Sequence, residues 1–204
     1  MTDSADPLPI FPLGTVLFPG GVLPLRIFEA RYMDMVRECM NTSRPFGVCL
    51  ITQGREVGTP ADHEAIGCTA RIDDWDMTEP GVLQLRTVGV SRFTVLSRSV
   101  QPNGLIRAQV EPIADDPVLP VPDDLVACAH LIRRAIDDIC AREPEPARRI
   151  LAEPFAPESA GWVANRLAEL LPLSMPSRQM LMELTDPLRR LALIHEVLSR
   201  EQII

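Results

Sequence analysis

Apolar and polar positions divide the chain into two regimes. In the first half the apolar residues come in short runs: "FGVCLI" at residues 46–51, "GCTARIDDW" at 67–75 and "VLQLRTVG" at 82–89. "SRFTVLSRSV" and "LIRAQVEPI" continue the series. Short runs separated by Gly, Pro and Asn predict the strands of an antiparallel sheet or small barrel. "MTEPG" reads as a turn, and "QPNGL" as a hairpin turn centred on Asn103 and Gly104. One helix interrupts the strands. Over residues 29–40, Tyr32, Met33, Val36 and Met40 recur close to the three-four spacing of a helical face.

The pattern changes at "EPIADDPVLPVPDD", residues 111–124. Beyond it the apolar positions follow helical periodicity. Asp123 is placed to cap a helix with Leu125, Cys128, Ile132, Ala135, Ile136 and Ile139 on one face, stopped by Pro144 and Pro146. Ser159 is placed to cap a second, with Val163, Leu167, Leu170 and Leu171 inward and Pro172 as its stop. A third covers residues 176–184. Asp186 as cap and Pro187 at the first helical position open a fourth, whose stripe is Leu188, Leu191, Ile194 and Leu198. The expectation is a β-rich subdomain over residues 1–115 packed with an α-helical subdomain over 120–204.

The opening stretch stands apart. Residues 7–25, "PLPIFPLGTVLFPGGVLPL", carry no charge and are about long enough to cross a bilayer. Pro7, Pro9, Pro12, Pro19 and Pro24 rule out a helix there. The leader "MTDSAD" is acidic, unlike the basic start of a secretory signal. Short strands joined by a turn at "FPGG" are the remaining reading, with the prolines at edges or strand ends. No membrane association is expected, and the protein is expected to be cytoplasmic.

Composition narrows the chemistry. The formal net charge is −8, which argues against nucleic acid as a partner. An RNA-binding face would need a local cluster, for example Arg86, Arg92, Arg98 and Arg107 on neighbouring strands. All basic residues except the histidines are arginine, and there is no lysine. A P-loop, a Schiff base and a Ser–Lys dyad are therefore excluded from this chain. His63, His130 and His195 have no partner at metal-ligand spacing, "DDWD" lacks the remainder of an EF-hand loop, and no G-x-S-x-G or G-x-G-x-x-G occurs. The odd number of cysteines at irregular spacing reads as reduced thiols. No cofactor, metal or catalytic residue is expected.

The densest local cluster is "RIFEARY", residues 26–32, a strand end entering a helix. Together with the preceding block it carries a family resemblance. "PIFPLGTVLFPGGVLPLRIFEARY" resembles the opening signature of the N-terminal, substrate-recognition domain of the ATP-dependent protease Lon. The likeness continues through "FGVCLI", "GCTARI" and "LQLRTVGVSRFTV" to "ELLPLSMPSRQMLMELTDPLRRLALIHEVL", so it covers residues 8–198. It implies an α+β fold: a PUA-like antiparallel β pseudo-barrel with one inserted helix, followed by a helical bundle. It also implies a non-catalytic module that binds peptides, unfolded segments or a protein partner; cereblon carries a similar domain. The candidate contact residues are Val16, Leu17 and Phe18, if their loop is exposed, and Arg26, Phe28, Arg31 and Tyr32. The alternative is a small-molecule sensor or enzyme using a cleft between the subdomains.

Overall fold

In the computed structural model, which describes residues 6–142 and 152–204, the chain divides into two units, residues 1–114 and 115–204. The first contains seven strands and one helix. These are β1 (Leu8–Leu13), β2 (Val22–Ile27), α1 (Ala30–Thr42), β3 (Phe46–Gln53), β4 (Asp62–His63), β5 (Ile66–Glu79), β6 (Val82–Val100) and β7 (Ile106–Pro112). β1 pairs antiparallel with β7, β7 with β6, β6 with β5, and β5 with β3. A parallel pairing of β1 with β3 brings the series back to its start. The result is a ring of five strands, with β4 appended to β3 and β2 appended to β6.

The lack of charge in the opening stretch now has a cause. β1 is buried along its whole length, because its alternate side chains serve two apolar clusters. Leu8 and Ile10 join Cys49, Phe93, Ile106 and Ala108. Phe11 and Leu13 join a larger cluster with Leu25, Ile27, Phe46, Leu83, Leu85 and the inward face of α1. The smaller cluster is built around the Phe93 ring. Cβ atoms placed on Gly47 and Gly67 would stand 2.7 and 2.8 Å from Phe93 Cζ, so both positions must lack a side chain.

Several elements differ from their sequence reading. "VLQLRTVG" and "SRFTVLSRSV" are one continuous strand, β6, because Gly89 sits within the ladder instead of ending it. "DDWD" lies inside β5, which runs on into "MTEPG" before the hairpin turns at Pro80 and Gly81, where Gly81 has φ of 80°. The helix over 29–40 is α1, but its buried face is Arg31, Tyr32, Met35, Val36 and Cys39. Met40 is exposed and Met33 only partly buried. The stripe is rotated because Arg31 turns inward. The turn at Asn103 and Gly104 is present, with Gln101 N–H donating to the Leu105 carbonyl at 2.8 Å.

The second unit begins with an extended segment whose residues Leu119 and Val121 pair with the backbone of Ala160 and Glu158. A 3-10 turn over Asp123–Leu125 leads into α2 (Val126–Arg142). Pro122, not Asp123, holds the cap position of that turn. Leu125, Cys128, Ala129, Ile132 and Ile136 are buried. The expected stop at Pro144 and Pro146 lies outside the described residues. α3 (Ala160–Leu170) follows Ser159 and buries Val163 and Leu167, whereas Leu170 is exposed at the last turn. α4 (Met175–Glu183) is capped by the Ser174 side chain. α5 (Pro187–Arg200) starts with Asp186 accepting from the N–H groups of Leu188 and Arg189 at 2.9 and 3.2 Å, and buries Leu191, Ile194 and Leu198. None of the helices described is long and apolar enough to cross a membrane.

A buried arginine ties this unit together. Arg190, on α5, is 1% exposed. Its Nε donates to the Leu181 carbonyl at 2.9 Å, and its Nη1 to Asn165 Oδ1 at 3.0 Å and Asp116 Oδ2 at 2.5 Å. Nη2 donates to Asp116 Oδ1 at 3.3 Å and to the Leu184 carbonyl. Every N–H of the guanidinium thus has an acceptor, as a buried charge requires.

None of the five cysteines forms a disulfide. Cys39, Cys49, Cys68 and Cys128 are buried and Cys140 is exposed. Burial pushes the Cys39 and Cys128 thiols up to about 11 and Cys49 to about 12, which keeps the nucleophilic thiolate scarce. A disulfide reagent at pH 8 is therefore expected to titrate one thiol fast, that of Cys140, and the others only on unfolding. Loss of the fast phase in Cys140→Ser identifies it. A second fast thiol in the native protein would contradict the burial.

Candidate functional site

The sequence-predicted contact residues fall into two groups. Val16, Leu17 and Phe18 are buried, at 7, 4 and 0% exposure. They are not an exposed patch. The chain reverses over residues 18–21, with Gly21 N–H donating to the Phe18 carbonyl at 2.9 Å and Gly20 at φ of 74°. Pro19 followed by a left-handed glycine is the signature of a type II turn. The turn is strapped to β6 at Gly89: Gly20 N–H donates to the Gly89 carbonyl, and Gly89 N–H to the Gly21 carbonyl, both at 2.8 Å. A loop anchored at both faces of one residue carries its apolar side chains inward.

Arg31 and Tyr32 are also internal, each 5% exposed. Arg31 Nη1 donates to the Gly104 carbonyl at 3.1 Å, and Nη2 lies 3.0 Å from Glu29 Oε2. Its guanidinium stands 4.5 Å from the Tyr32 ring centroid, and that ring stacks on Phe11 at 4.0 Å. Burial raises the Tyr32 phenol above its usual range, opposed by the Arg31 charge. Both residues pin the start of α1 to the β6–β7 turn and to β1. Their work is architectural.

Arg26 and Phe28 remain on the surface. Phe28 is 55% exposed, and Arg26 makes a solvent-exposed ion pair with Glu79 at 3.2 Å. Two further residues that the sequence reading did not single out are exposed on β5. Gln84 of β6 pairs with Arg26 of β2 on one edge and with Asp76 of β5 on the other, so β2 and β5 flank the first part of β6. There β5 leaves Trp75 52% and Met77 48% exposed. The signal for Trp75 was its place in the acidic "DDWD", since acids keep such a segment at the surface. Asp73 accepts from Arg71 at 3.2 Å and from Arg86, and Asp74 and Asp76 accept the backbone N–H groups of Trp75 and Met77. β5 thus exposes two large apolar side chains, Trp75 and Met77, within an acidic segment.

The arginine face that RNA would need is not assembled. Arg92 is buried and donates to the Ala114 carbonyl, Arg86 is held by Asp73, Arg98 by Asp62, and Arg107 by Glu38. Among the described residues no group of three His, Cys, Asp or Glu side chains is arranged to hold a metal ion. His63 Nδ1 lies 2.8 Å from the Glu64 carbonyl oxygen, and burial lowers the imidazole pKa.

The comparisons with known proteins bear on the whole chain. The family model of the ATP-dependent protease La (LON) substrate-binding domain matches residues 7–200. The chain belongs to the Lon substrate-binding domain family. A Lon N-terminal domain protein from Xanthomonas campestris has the same fold, with a TM-score of 0.75, 36% identity, and 93% of this chain and 96% of that chain covered. Lon protease from Anaeromyxobacter dehalogenans is 27% identical over 96% of this chain and 23% of its own length. Cereblon from Gallus gallus is 32% identical over 66% of this chain and 30% of its own length. The chain therefore spans less than a third of these two curated relatives. What is shared is the Lon-type substrate-binding fold.

Proposed function

We propose that this chain is a non-catalytic Lon-type module that recognises peptides, unfolded segments or a protein partner. The observation that carries the reading is the exposure of Trp75 and Met77 on β5, in a chain of the substrate-binding family. Large apolar side chains exposed close together in sequence beside charged ones are a feature of protein-binding surface. The absence of lysine supports the non-catalytic part. The chain has no residue from which to build the P-loop lysine or a Ser–Lys dyad.

The test is binding of a reduced, carboxymethylated model protein, followed by fluorescence anisotropy. Phe18→Asp is not a usable probe, because the side chain is fully buried. The double variant Trp75→Asp/Met77→Asp is expected to weaken binding about tenfold or more. Leu96→Asp, on a residue 64% exposed elsewhere on β6, is the control and is expected to leave binding intact. Equal, negligible capture by all three proteins counts against the reading.

A further inference from the structure

β2 pairs with β6 alone among the described strands, so one of its edges is open. The register tells which groups face that edge. Gly89 N–H donates to the Gly21 carbonyl, which makes residues 21 and 89 a hydrogen-bonded pair of an antiparallel ladder. In such a ladder hydrogen-bonded and non-bonded pairs alternate. Val22 pairs with Val88 next to it, so Leu23, Leu25 and Ile27 turn their backbone groups toward β6. Val22, Pro24 and Arg26 turn theirs away. No other hydrogen bond to the backbone of Val22, Pro24 or Arg26 exists among the described residues. Pro24 sits where its missing N–H costs the β2–β6 ladder nothing.

The open edge therefore presents a fixed row: N–H and C=O of Val22, C=O of Pro24, N–H and C=O of Arg26. Alternate residues of a strand recur about every 6.7 Å. The complement to such a row is another extended backbone. The edge also discriminates against a second copy of this chain. Two β2 strands paired so that Val22 meets Arg26 would set Pro24 against Pro24, leaving both carbonyls without a donor and two rings in contact. Sliding the copies until Arg26 meets Arg26 places like charges side by side. A peptide without proline or a basic residue at those positions meets neither obstacle.

We infer that the free edge of β2 binds an extended peptide by strand addition, and that the peptide carries an acidic residue opposite Arg26 and apolar residues alternating with it. This rests on the binding-module reading and specifies its mode. Backbone pairing supplies affinity without sequence demands, as suits a module for unfolded segments. Side chains supply the preference. The two positions flanking the acidic residue lie beside Leu25 and Ile27, whose side chains join the larger apolar cluster. The Arg26 ion pair with Glu79 joins side chains that are 65 and 59% exposed, so a peptide carboxylate competes for the guanidinium against a weak partner.

The probe is a short synthetic peptide of alternating valine and threonine with one central glutamate. At saturation, amide hydrogen exchange of Val22 and Arg26 is expected to slow, while Leu23 and Leu25, already bonded to β6, change little. N-methylating the glutamate amide and every second amide from it removes the donors that face β2 and is expected to lower affinity about tenfold or more. Methylating the intervening amides is expected to leave affinity within about twofold. Arg26→Glu is expected to weaken the glutamate peptide and favour its lysine counterpart. Equal affinity of the two methylated peptides, or unprotected Val22 and Arg26 amides at saturation, overturns the inference. If the carboxymethylated protein still binds in that case, only strand addition fails; if it does not bind either, the binding-module reading fails with it.

Discussion

Arg190→Met is expected to destabilise the helical unit by about 3–5 kcal/mol, the range for removing one partner of a buried ion pair. The expected loss is a large share of a typical domain's total stability. The reason is the number of groups left behind. Asp116 loses a bidentate partner at 2.5 and 3.3 Å, and Asn165 Oδ1 and the carbonyls of Leu181 and Leu184 lose their donor. The Leu181 and Leu184 carbonyls lie at the C-terminal end of α4, where a bonded guanidinium acts on the last turn. The guanidinium therefore acts as a helix cap and as the counter-charge of Asp116 together. Urea denaturation followed by far-ultraviolet circular dichroism measures the change. Asp116→Ala isolates the charge term, and the double variant is expected to be less damaging than the sum of the singles, because neither charge is then stranded. A loss below about 1 kcal/mol in Arg190→Met would mean that the network is not structural.

Gly89→Ala is the second large effect. A Cβ at Gly89 would stand 2.2 Å from the Phe18 carbonyl oxygen and 3.1 Å from Leu17 Cγ. The near atom belongs to backbone, which cannot swing aside as a side-chain tip does. Accommodation requires the turn over residues 18–21 to lift from β6, breaking its two 2.8 Å bonds. Overpacking costs about 1–3 kcal/mol and each lost hydrogen bond about 1 kcal/mol, so about 3 kcal/mol is expected. Thermal denaturation reads the loss. Faster hydrogen exchange at the Gly20 amide shows whether the turn has lifted. A variant as stable as the parent with Gly20 still protected would refute the close approach.

These two predictions concern residues whose roles periodicity alone does not give, and the cause differs between them. Arg190 stands four and eight positions before Ile194 and Leu198, so spacing puts it on the buried face and Arg189 off it, but residue type argues the reverse and nothing local names its acceptors. Its acceptors come from residues 116, 165, 181 and 184, so the pairing exists only once the unit is folded. Gly89 did carry a signal. A glycine inside an apolar strand run marks a bulge or a close backbone approach, and here it marks both: β6 shifts register on β5 between Gly89 and Arg92, and the Phe18 carbonyl packs on Gly89.

The candidate site shows the same division. That "RIFEARY" takes the chain from strand into helix was legible, because Pro24 and the helical spacing after Glu29 are local features. Which of its side chains face outward was not. Arg31 would be expected at the surface by residue type, yet a carbonyl from the β6–β7 turn and an aromatic ring close around it. Val16, Leu17 and Phe18 could serve as patch or as core with equal logic until the turn over residues 18–21 was seen strapped to Gly89. That Trp75 and Met77 are exposed within a paired strand was seen only once β5 was placed against β6.

By itself the sequence determined the order and kind of most elements. It placed strands first and helices after, with the Asn103–Gly104 turn and the Asp186 cap with Pro187 behind it. The physical reason is that periodicity, caps and turn residues act within a few positions along the chain. It also determined, through the absence of lysine, what chemistry the chain cannot build. The tertiary structure alone decided the closure of the ring through β1 and β3, the burial of the opening loop, the partners of each arginine and the open edge of β2. Each of these depends on which distant segments meet, and strand register and close packing set that only when the fold is complete.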